Sequence, residues 1–340
     1  MESTPHKTKV DETLPGVSFV TIGRNEGDRL VRCLNSILAA DYPREKIEII
    51  YVDSNSTDES CARAEAIGAR VMRVNPRRPT AAIGRNGGWK AARFDLVQFL
   101  DGDTILHRDW VRKAVSRIAD PGVACVFGRR EEMAADATVF NFWAHHDWYV
   151  PPGPADSCAG DVLFRKSVLD RAGGYDESLI AGEEPDLCYR IRRDQKLIIL
   201  SLDDPMTLHD MNMRRWTQYW RRCMRTGHAY AEVGGRNVGM HRWRRARWRN
   251  LFHALGTPAA VLCSLSLWSI WPLLTWCVLE AAAWLRNALR LLPRVGTWSG
   301  AMSYSLHHYL SKTPAAWGQM VYWCRAAFRR EPQTLIEYRT

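Results

Sequence analysis

A regular alternation of short apolar runs and amphipathic segments between residues 17 and 100 constrains the fold of this 340-residue chain most strongly. The runs are rich in β-branched and aromatic residues, which is typical of buried strands: 17–22, 47–52, 69–74 and 96–100. Helical spacing between them predicts an α/β fold with a mainly parallel sheet and helices on both faces. Ligands bind such sheets beyond the carboxyl ends of the strands, so the turns after the first, second and fourth runs are candidate sites.

Charge is distributed unevenly along the chain. Residues 1–240 contain 34 Lys and Arg against 34 Asp and Glu, whereas residues 241–340 contain 13 against 3 and carry the whole net charge of +10. Most of the 15 tryptophans also lie in the last part of the chain. We therefore expect three parts: a polar leader over 1–15, an α/β catalytic domain over 16–235, and a basic, Trp-rich helical region over 236–340 that associates with membranes.

The nine cysteines are scattered and form no Cys-x-x-Cys pair, and an odd number cannot all be paired. This pattern favours buried thiols in a reducing compartment. The leader contains no apolar run of the kind that a secretory signal requires. We expect the α/β domain to work in the cytosol.

The strongest local motif is Asp101-Gly102-Asp103, which directly follows the run 96–100. Two hard carboxylate ligands at a strand end suit Mg²⁺ or Mn²⁺ bound together with a diphosphate. The same residues also suit a turn in which an aspartate caps the following helix. The motif by itself leaves both interpretations open.

Four other motifs accompany this one in a defined order along the chain. The complete set is Asn25-Glu26, Val52-Asp53-Ser54-Asn55-Ser56-Thr57-Asp58, Arg85-Asn86-Gly87-Gly88, Asp101-Gly102-Asp103 and Gly182-Glu183-Glu184-Pro185-Asp186-Leu187. This set resembles the family 2 glycosyltransferases, which have a GT-A fold, over about residues 16–230. Two positions depart from the family pattern: Ser54 stands where a second aspartate is frequent, and Glu184 stands where the acidic motif usually has aspartate.

The resemblance implies a role for each matched residue. A nucleotide-sugar site is implied at Asn25, Glu26, Asp53, Arg85, Asp101 and Asp103. A divalent cation, Mn²⁺ or Mg²⁺, is implied at Asp103 and Asp101, with His209 as the candidate third ligand. Glu184 is implied as the catalytic base, with Glu183 and Asp186 on the acceptor side.

These residue types also fit the chemistry of sugar transfer. A cation can stabilise a leaving diphosphate, and a carboxylate within hydrogen-bond reach can take the proton of an acceptor hydroxyl. Such a pair supports a single displacement with inversion. The alternatives are structural: Glu183, Glu184 and Asp186 also suit the acidic first turn of a helix, and a lone histidine such as His209 is frequently a loop or capping residue.

The C-terminal region contains 26 consecutive residues, 254–279, without a charged side chain or histidine. Five arginines and two tryptophans precede it at 241–249, a pattern that suits anionic lipid headgroups and the membrane interface. Because Pro258 and Pro272 interrupt the stretch, we favour a helical pair broken near Pro272 on the cytosolic face of the membrane over a single tilted span. A buried helix bundle and a nucleic-acid surface are the alternatives.

Together these features predict an inverting, metal-dependent glycosyltransferase at the cytoplasmic face of the inner membrane. Its expected partners are a nucleoside-diphosphate sugar, a lipid-linked or membrane-associated acceptor and an anionic membrane surface, without nucleic acid. The expected role is cell-surface polysaccharide or glycolipid assembly. The rival functions are a non-catalytic nucleic-acid- or membrane-binding protein and a nucleotidyltransferase.

Overall fold

The computed structural model describes residues 14–328, so the expected polar leader over 1–15 lies outside the described residues except for its last two. By compactness the chain divides into two units. The first, called here the α/β unit, comprises residues up to 133 together with 149–178 and 183–210. The second, called the helical unit, comprises 134–148, 179–182 and the residues from 211 onward. The domain boundaries expected after residues 15 and 235 stay predictions.

A nine-stranded mixed sheet forms the centre of the α/β unit. Its strands are β1 Val17–Gly23, β2 Ile47–Asp53, β3 Arg70–Arg73, β4 Leu96–Asp101, β5 Thr104–Leu106, β6 Val123–Glu132, β7 Gly153–Ala155, β8 Val162–Arg165 and β9 Ile198–His209. They are arranged in the order β3-β2-β1-β4-β8-β6-β9-β5, with β7 paired to β9. The four strands expected from the alternation are present as β1 to β4 and are mutually parallel, so the predicted fold class is confirmed.

The second half of the sheet departs from simple alternation. Strand β8 is antiparallel to both β4 and β6, and β5 and β7 run antiparallel to β9. The sequence pattern does not reveal β9, because Asp203-Asp204-Pro205 interrupts its apolar residues. Register shifts along the β6–β9 pair accommodate this irregular segment.

Helices cover the sheet of the α/β unit. They are α1 Asp28–Leu38, α2 Ser60–Ala66, α3 Ala81–Ala91, α4 Trp110–Ile118, α6 Lys166–Ala172 and α7 Glu183–Arg190, while α5 Val139–Asp147 belongs to the helical unit. Helix α1 is amphipathic, and the apolar residues on one of its faces, among them Leu30 and Leu34, are buried. The Trp110 indole Nε1 of α4 donates to the Gln98 Oε1 of β4 at 2.9 Å, so that the polar atoms of both side chains are satisfied inside the core.

The helical unit contains the basic, Trp-rich part of the chain. Its remaining helices are α8 Trp216–Arg236, α9 His241–Ser266, α10 Trp271–Val295, α11 Trp298–Leu310 and α12 Lys312–Ala327. The apolar stretch is divided between α9 and α10, and Trp268 in the connection has a left-handed φ of 48°. Contacts between the two helices include the pair His253 Nδ1–Glu280 Oε1 at 2.8 Å.

The predicted helical pair broken near Pro272 is therefore confirmed, with Pro272 in the first turn of α10. The alternative of a single span over 254–279 is wrong, because the backbone between α9 and α10 leaves the helical conformation inside that stretch. Among residues 14–328, no helix combines the length and the apolarity needed to cross a membrane.

Two adjacent glycines of α3 provide a test of how this helix packs on the sheet. A methyl group added to Gly88 would lie 2.1 Å from the Val20 Cγ1 of β1, whereas one added to Gly87 would meet its nearest atom at 3.8 Å. We expect Gly88→Ala to lower the free energy of unfolding by about 1–3 kcal/mol through overpacking. Gly87→Ala should raise it by about 0.5–1 kcal/mol, because alanine is the better helix former.

Urea unfolding of the two variants measures both effects in the same helix. Equal changes in the two midpoints would contradict the close packing of α3 on β1.

Candidate active site

Parallel pairing places the ends of β1, β2 and β4 side by side. In the register of the sheet, Gly23 at the end of β1 lies opposite Asp53 of β2, and Ile22 lies opposite Asp101 of β4. The carboxylates of two motifs far apart in the sequence thus flank the same strand end. The structure confirms that the turns after these strands lie at one edge of the sheet.

The Arg85 guanidinium connects this edge with helix α7. Its Nη2 lies 3.0 Å from Asp101 Oδ1, and its Nη1 lies 3.0 Å from Glu183 Oε1 and 2.9 Å from Glu184 Oε1. Only 3% of the Arg85 side chain is exposed. Because a buried ion must be paired, this arginine fixes the position of three carboxylates relative to one another.

A second guanidinium, that of Arg130 on β6, holds the other oxygen of Asp101. Its Nη2 lies 2.9 Å from Asp101 Oδ2, and its Nε lies 3.4 Å from Asp161 Oδ2. Asp161 is fully buried, and its carboxylate also accepts from the Asp101 backbone N–H and from the Thr207 hydroxyl. Sequence reasoning missed Arg130 and Asp161, because neither belongs to a recognised motif.

Gly160 allows the backbone to lie directly against this network. A methyl group at Gly160 would be 2.5 Å from Arg85 Nη2 and 2.9 Å from Asp101 Oδ2. No side chain fits between the loop and the ion pair, so glycine is required by close approach at this position.

The structure brings Asp101, Asp103 and His209 together, as predicted. Each offers a ligand atom, and these atoms all lie within 4.8 Å of one another. Antiparallel pairing of β5 with β9 positions His209, whose Nε2 lies 3.2 Å from Asp103 Oδ2. Its Nδ1 lies 3.8 Å from Glu132 Oε2, a buried carboxylate that the sequence analysis did not identify.

The donor set of this cluster suits a divalent cation. Carboxylate oxygens are preferred by Mg²⁺ and Mn²⁺, and the addition of an imidazole nitrogen is more typical of a transition metal. Both Asp101 oxygens contact guanidinium groups, whereas Asp103 and His209 contact each other. Asp101 is nevertheless the most exposed of the three, with 26% of its side chain exposed against 1% for Asp103 and 3% for His209.

The residues expected to bind the nucleotide shape the loops after β1 and β2. Asp53 is buried and accepts hydrogen bonds from the Tyr51 hydroxyl and from the Ser56 backbone N–H, both at 2.9 Å. Asn25 has a left-handed φ of 54°, and its Oδ1 accepts from the Thr57 N–H at 2.8 Å. The contact between Asn25 and Thr57 connects the two loops at the sheet edge. The roles of Asn25 and Asp53 in binding a nucleotide stay predictions.

Two further predicted residues have partners one turn away. Glu26 pairs with Arg29 at 2.9 Å. Asp186 accepts from the Arg190 Nε at 2.8 Å, and Arg190 also donates to the carbonyl groups of Ala172 and Gly174. This places Asp186 in the attachment of α7 to the preceding loop, and its expected role on the acceptor side stays a prediction.

Burial and crowding raise the pKa of two carboxyl groups in the site. Burial and the neighbouring Glu183 carboxylate raise the pKa of Glu184 to about 7, against the opposing effect of Arg85. Burial likewise raises the pKa of Asp161 to about 6, despite the nearby Arg130. A carboxylate with a pKa near neutrality is suited to proton transfer.

Comparisons of sequence identify relatives of this chain. Residues 18–157 match the family model for glycosyl transferase family 2. Glycosyltransferase AglE of Haloferax volcanii is 32% identical over 123 residues, which are 35% of this chain and 40% of that protein. Beta-monoglucosyldiacylglycerol synthase of Synechocystis is 24% identical over 243 residues, which are 61% of this chain and 50% of that protein. The chain thus spans half or less of the length of these relatives.

Solved structures show the same fold. The mannosyltransferase PcManGT from Pyrobaculum calidifontis, in complex with GDP-Man and Mn²⁺, superposes with a TM-score of 0.60 at 18% identity, covering 94% of this chain and 88% of that chain. TarS 1–349 of S. aureus gives a TM-score of 0.50 at 15% identity, covering 86% and 91%. At these identities the likeness concerns the fold.

Proposed function

Because the chain belongs to glycosyltransferase family 2 and has a GT-A-like fold, we propose that it is an inverting, metal-dependent glycosyltransferase. It transfers a sugar from a nucleoside diphosphate to an acceptor hydroxyl. The observation that carries this proposal is the connection of the cation ligands to Glu184 through one buried guanidinium, Arg85. Asp101 is one of the cation ligands and also contacts Arg85.

Asp103 and His209, with Asp101, would hold Mn²⁺ or Mg²⁺. The two carboxylates and the imidazole fit such a cation, which when bound offsets the negative charge of the leaving diphosphate. Asp103 and His209 are both almost fully buried, so their positions are preorganised by the sheet. The Mn²⁺ in the PcManGT complex is consistent with this assignment.

Glu184 would act as the base that takes the proton of the acceptor hydroxyl. Its carboxylate is more accessible than that of Glu183, with 15% of the side chain exposed against 6%. Arg85 orients both carboxylates but leaves Glu184 as the one that an acceptor reaches. A cation that stabilises the leaving diphosphate, together with a base for the acceptor hydroxyl, supports direct displacement with inversion.

The surface of the helical unit favours a lipid-linked or membrane-associated acceptor. Apolar side chains around the connection between α9 and α10 are exposed, and Trp268 is 97% exposed. Others in this exposed set are Trp248, Phe252, Leu262, Leu265, Leu267, Ile270 and Trp271. Arginines over 242–249 precede them, a combination that suits attachment to the cytoplasmic face of an anionic membrane better than binding to nucleic acid.

A catalytic domain at this membrane face fits the assembly of cell-surface polysaccharide or glycolipid. The relative from Synechocystis is named as a glycolipid synthase, which supports a lipid acceptor for this chain.

Asp103 provides the test of the cation site. We expect Asp103→Asn to weaken Mn²⁺-dependent binding of UDP or GDP by at least about 100-fold, because a ligand matters at least as much as its supporting groups. Isothermal titration with and without EDTA measures this change. Asp109→Asn is the matched control, since Asp109 is exposed and lies outside the cluster. Unchanged Mn²⁺-dependent affinity in the Asp103 variant would exclude Asp103 as a ligand.

Glu184 provides the test of the base. Because the carboxylate must be ionised to accept a proton and its pKa is raised to about 7, the parent rate should rise as the pH is increased through about 7 and then level off. Glu184→Gln should keep donor binding but lower turnover by about 10²–10⁴-fold and abolish this rise.

Glu183→Gln is the control for the Glu184 variant, because Glu183 contacts the same guanidinium. It should keep the rise in rate but shift it to lower pH, because the Glu183 carboxylate is one of the groups that raise the pKa of Glu184. If the rise disappears in Glu183→Gln and persists in Glu184→Gln, the base is Glu183.

The arginines over 242–249 provide the test of membrane attachment. Each should contribute about 1 kcal/mol of attraction to an anionic surface within reach, so replacing all five by Gln should strongly weaken binding to phosphatidylglycerol vesicles. The residual binding should be less sensitive to salt. A control with the same change in net charge replaces five exposed arginines of the α/β unit: Arg44, Arg93, Arg108, Arg117 and Arg193.

Equal binding by the two five-residue variants would contradict a local anchor. If the parent instead ignores vesicles and binds RNA with a steep dependence on salt, the region is a nucleic-acid surface.

A further inference from the structure

The helical unit contains a cavity of about 460 Å³ that the proposed transfer reaction does not use. Residues from α5, α8, α9 and α11 and from the start of α12 line it, and all belong to the helical unit. Its volume is in the range of pockets that hold small organic ligands, about 300–1,000 Å³. The side chains around it are of two kinds, cationic and aromatic.

Three cationic side chains line the cavity: Arg222 of α8, Arg249 of α9 and Lys312 of α12. Within residues 14–328, none of the three forms an ion pair with a carboxylate. Arg222 Nη1 instead contacts the Met211 sulfur at 3.0 Å, and its guanidinium lies over the Trp148 ring. Positive charge in this cavity is therefore compensated weakly by the protein itself.

Asp147 is the one carboxylate among the lining residues, and other groups already engage it. Its Oδ1 accepts from the Tyr304 hydroxyl at 2.8 Å, and its Oδ2 lies 3.0 Å from His307 Nε2. Although burial raises its pKa, His307 and Arg222 together hold the pKa of Asp147 at about 2, so the group is ionised. One negative charge stands against three positive ones, which leaves a net excess of positive charge.

Two observations indicate that the groups described in the structure do not fully compensate this excess. Burial and the neighbouring Arg249 lower the pKa of Lys312 to about 8, as expected for two cations held near each other. Asn250 is only 1% exposed, lines the cavity, and has no acceptor for its Nδ2 among the described residues. A buried donor without an acceptor is destabilising, and an acceptor inside the cavity would remove that deficit.

The remaining walls are aromatic. Phe140, Trp143, Trp148, Tyr219 and Tyr230 line the cavity, so a ligand that enters it meets ring faces as well as cations. A simple inorganic anion would use the cations but not these walls. An organic phosphate would use both, with its phosphoryl group at the cations and its apolar or planar part against the rings.

We propose that this cavity binds a phosphate ester, with Arg222, Arg249 and Lys312 contacting the phosphoryl oxygens and Asn250 donating to one of them. Such a ligand has a phosphoryl group joined to an apolar or ring-bearing body. A lipid phosphate and a soluble sugar phosphate are the two sources of such a group. Binding at this cavity does not depend on the proposed transfer reaction, because every residue that lines the cavity belongs to the helical unit.

The test is calorimetric titration of the full-length protein with inorganic pyrophosphate in EDTA, which prevents phosphate from binding through a metal at the carboxylate cluster. The parent should bind, and Arg222→Gln and Lys312→Gln should each weaken binding at least about tenfold, the scale of a lost charged hydrogen bond. Arg221→Gln is the matched control, because Arg221 is exposed, adjacent on α8 and outside the cavity lining. It removes the same charge and should leave the affinity nearly unchanged.

Lys312→Arg separates loss of charge from loss of packing, because it keeps the charge and should retain binding. Competition by dihexanoyl phosphatidic acid and by glucose 1-phosphate then distinguishes the two sources, and displacement by either supports the proposal. Failure of the parent to bind pyrophosphate and both esters would overturn it. Binding that survives both glutamine substitutions, or that falls equally in Arg221→Gln, would overturn it as well.

Discussion

The ion pairs of one buried guanidinium organise the α/β unit at its functional edge. Arg85 contacts Asp101, Glu183 and Glu184, residues supplied by β4 and by the first turn of α7. A charge buried to this degree is tolerable only if its partners are in place, so the strand end and the helix must be positioned together. The packing of α3 on β1 at Gly88 sets where the guanidinium lies, and Gly160 allows the backbone to approach it.

The two units have opposite electrostatic imbalances. Around Arg85 and Arg130 the α/β unit gathers six acidic side chains: Asp101, Asp103, Glu132, Asp161, Glu183 and Glu184. Burial and the neighbouring Glu183 carboxylate together raise the pKa of Glu184, and the excess of acid suits a divalent cation. In the cavity of the helical unit, three cations face one carboxylate that already has partners, which suits an anion. Each imbalance indicates the charge of the ligand that would relieve it.

Sequence reasoning anticipated the residues of the site better than their mutual contacts. The motifs included Arg85 and Asp103, the family resemblance implied His209, and the structure brings Asp103 and His209 together with Asp101. It did not anticipate that Arg85 contacts the acidic motif of α7, since 98 residues separate Arg85 from Glu183. Arg130 and Asp161 escaped notice because a single charged residue has no local signature. Strand β9, which carries His209, escaped notice because its apolar pattern is interrupted by Asp203-Asp204-Pro205.

What the sequence determined by itself is local: the alternation that forms β1 to β4, the carboxylates at their ends, and the break of the apolar stretch near Pro272. These features depend on periodicity and on turn chemistry, which act over a few residues. What only the tertiary structure decided is which charges share a partner, as in the Arg85 network, and where the described residues gather an excess of positive charge, as in the cavity beside Arg222. The physical reason is that burial and Coulomb interactions depend on distance in space, which the order of residues along the chain does not specify.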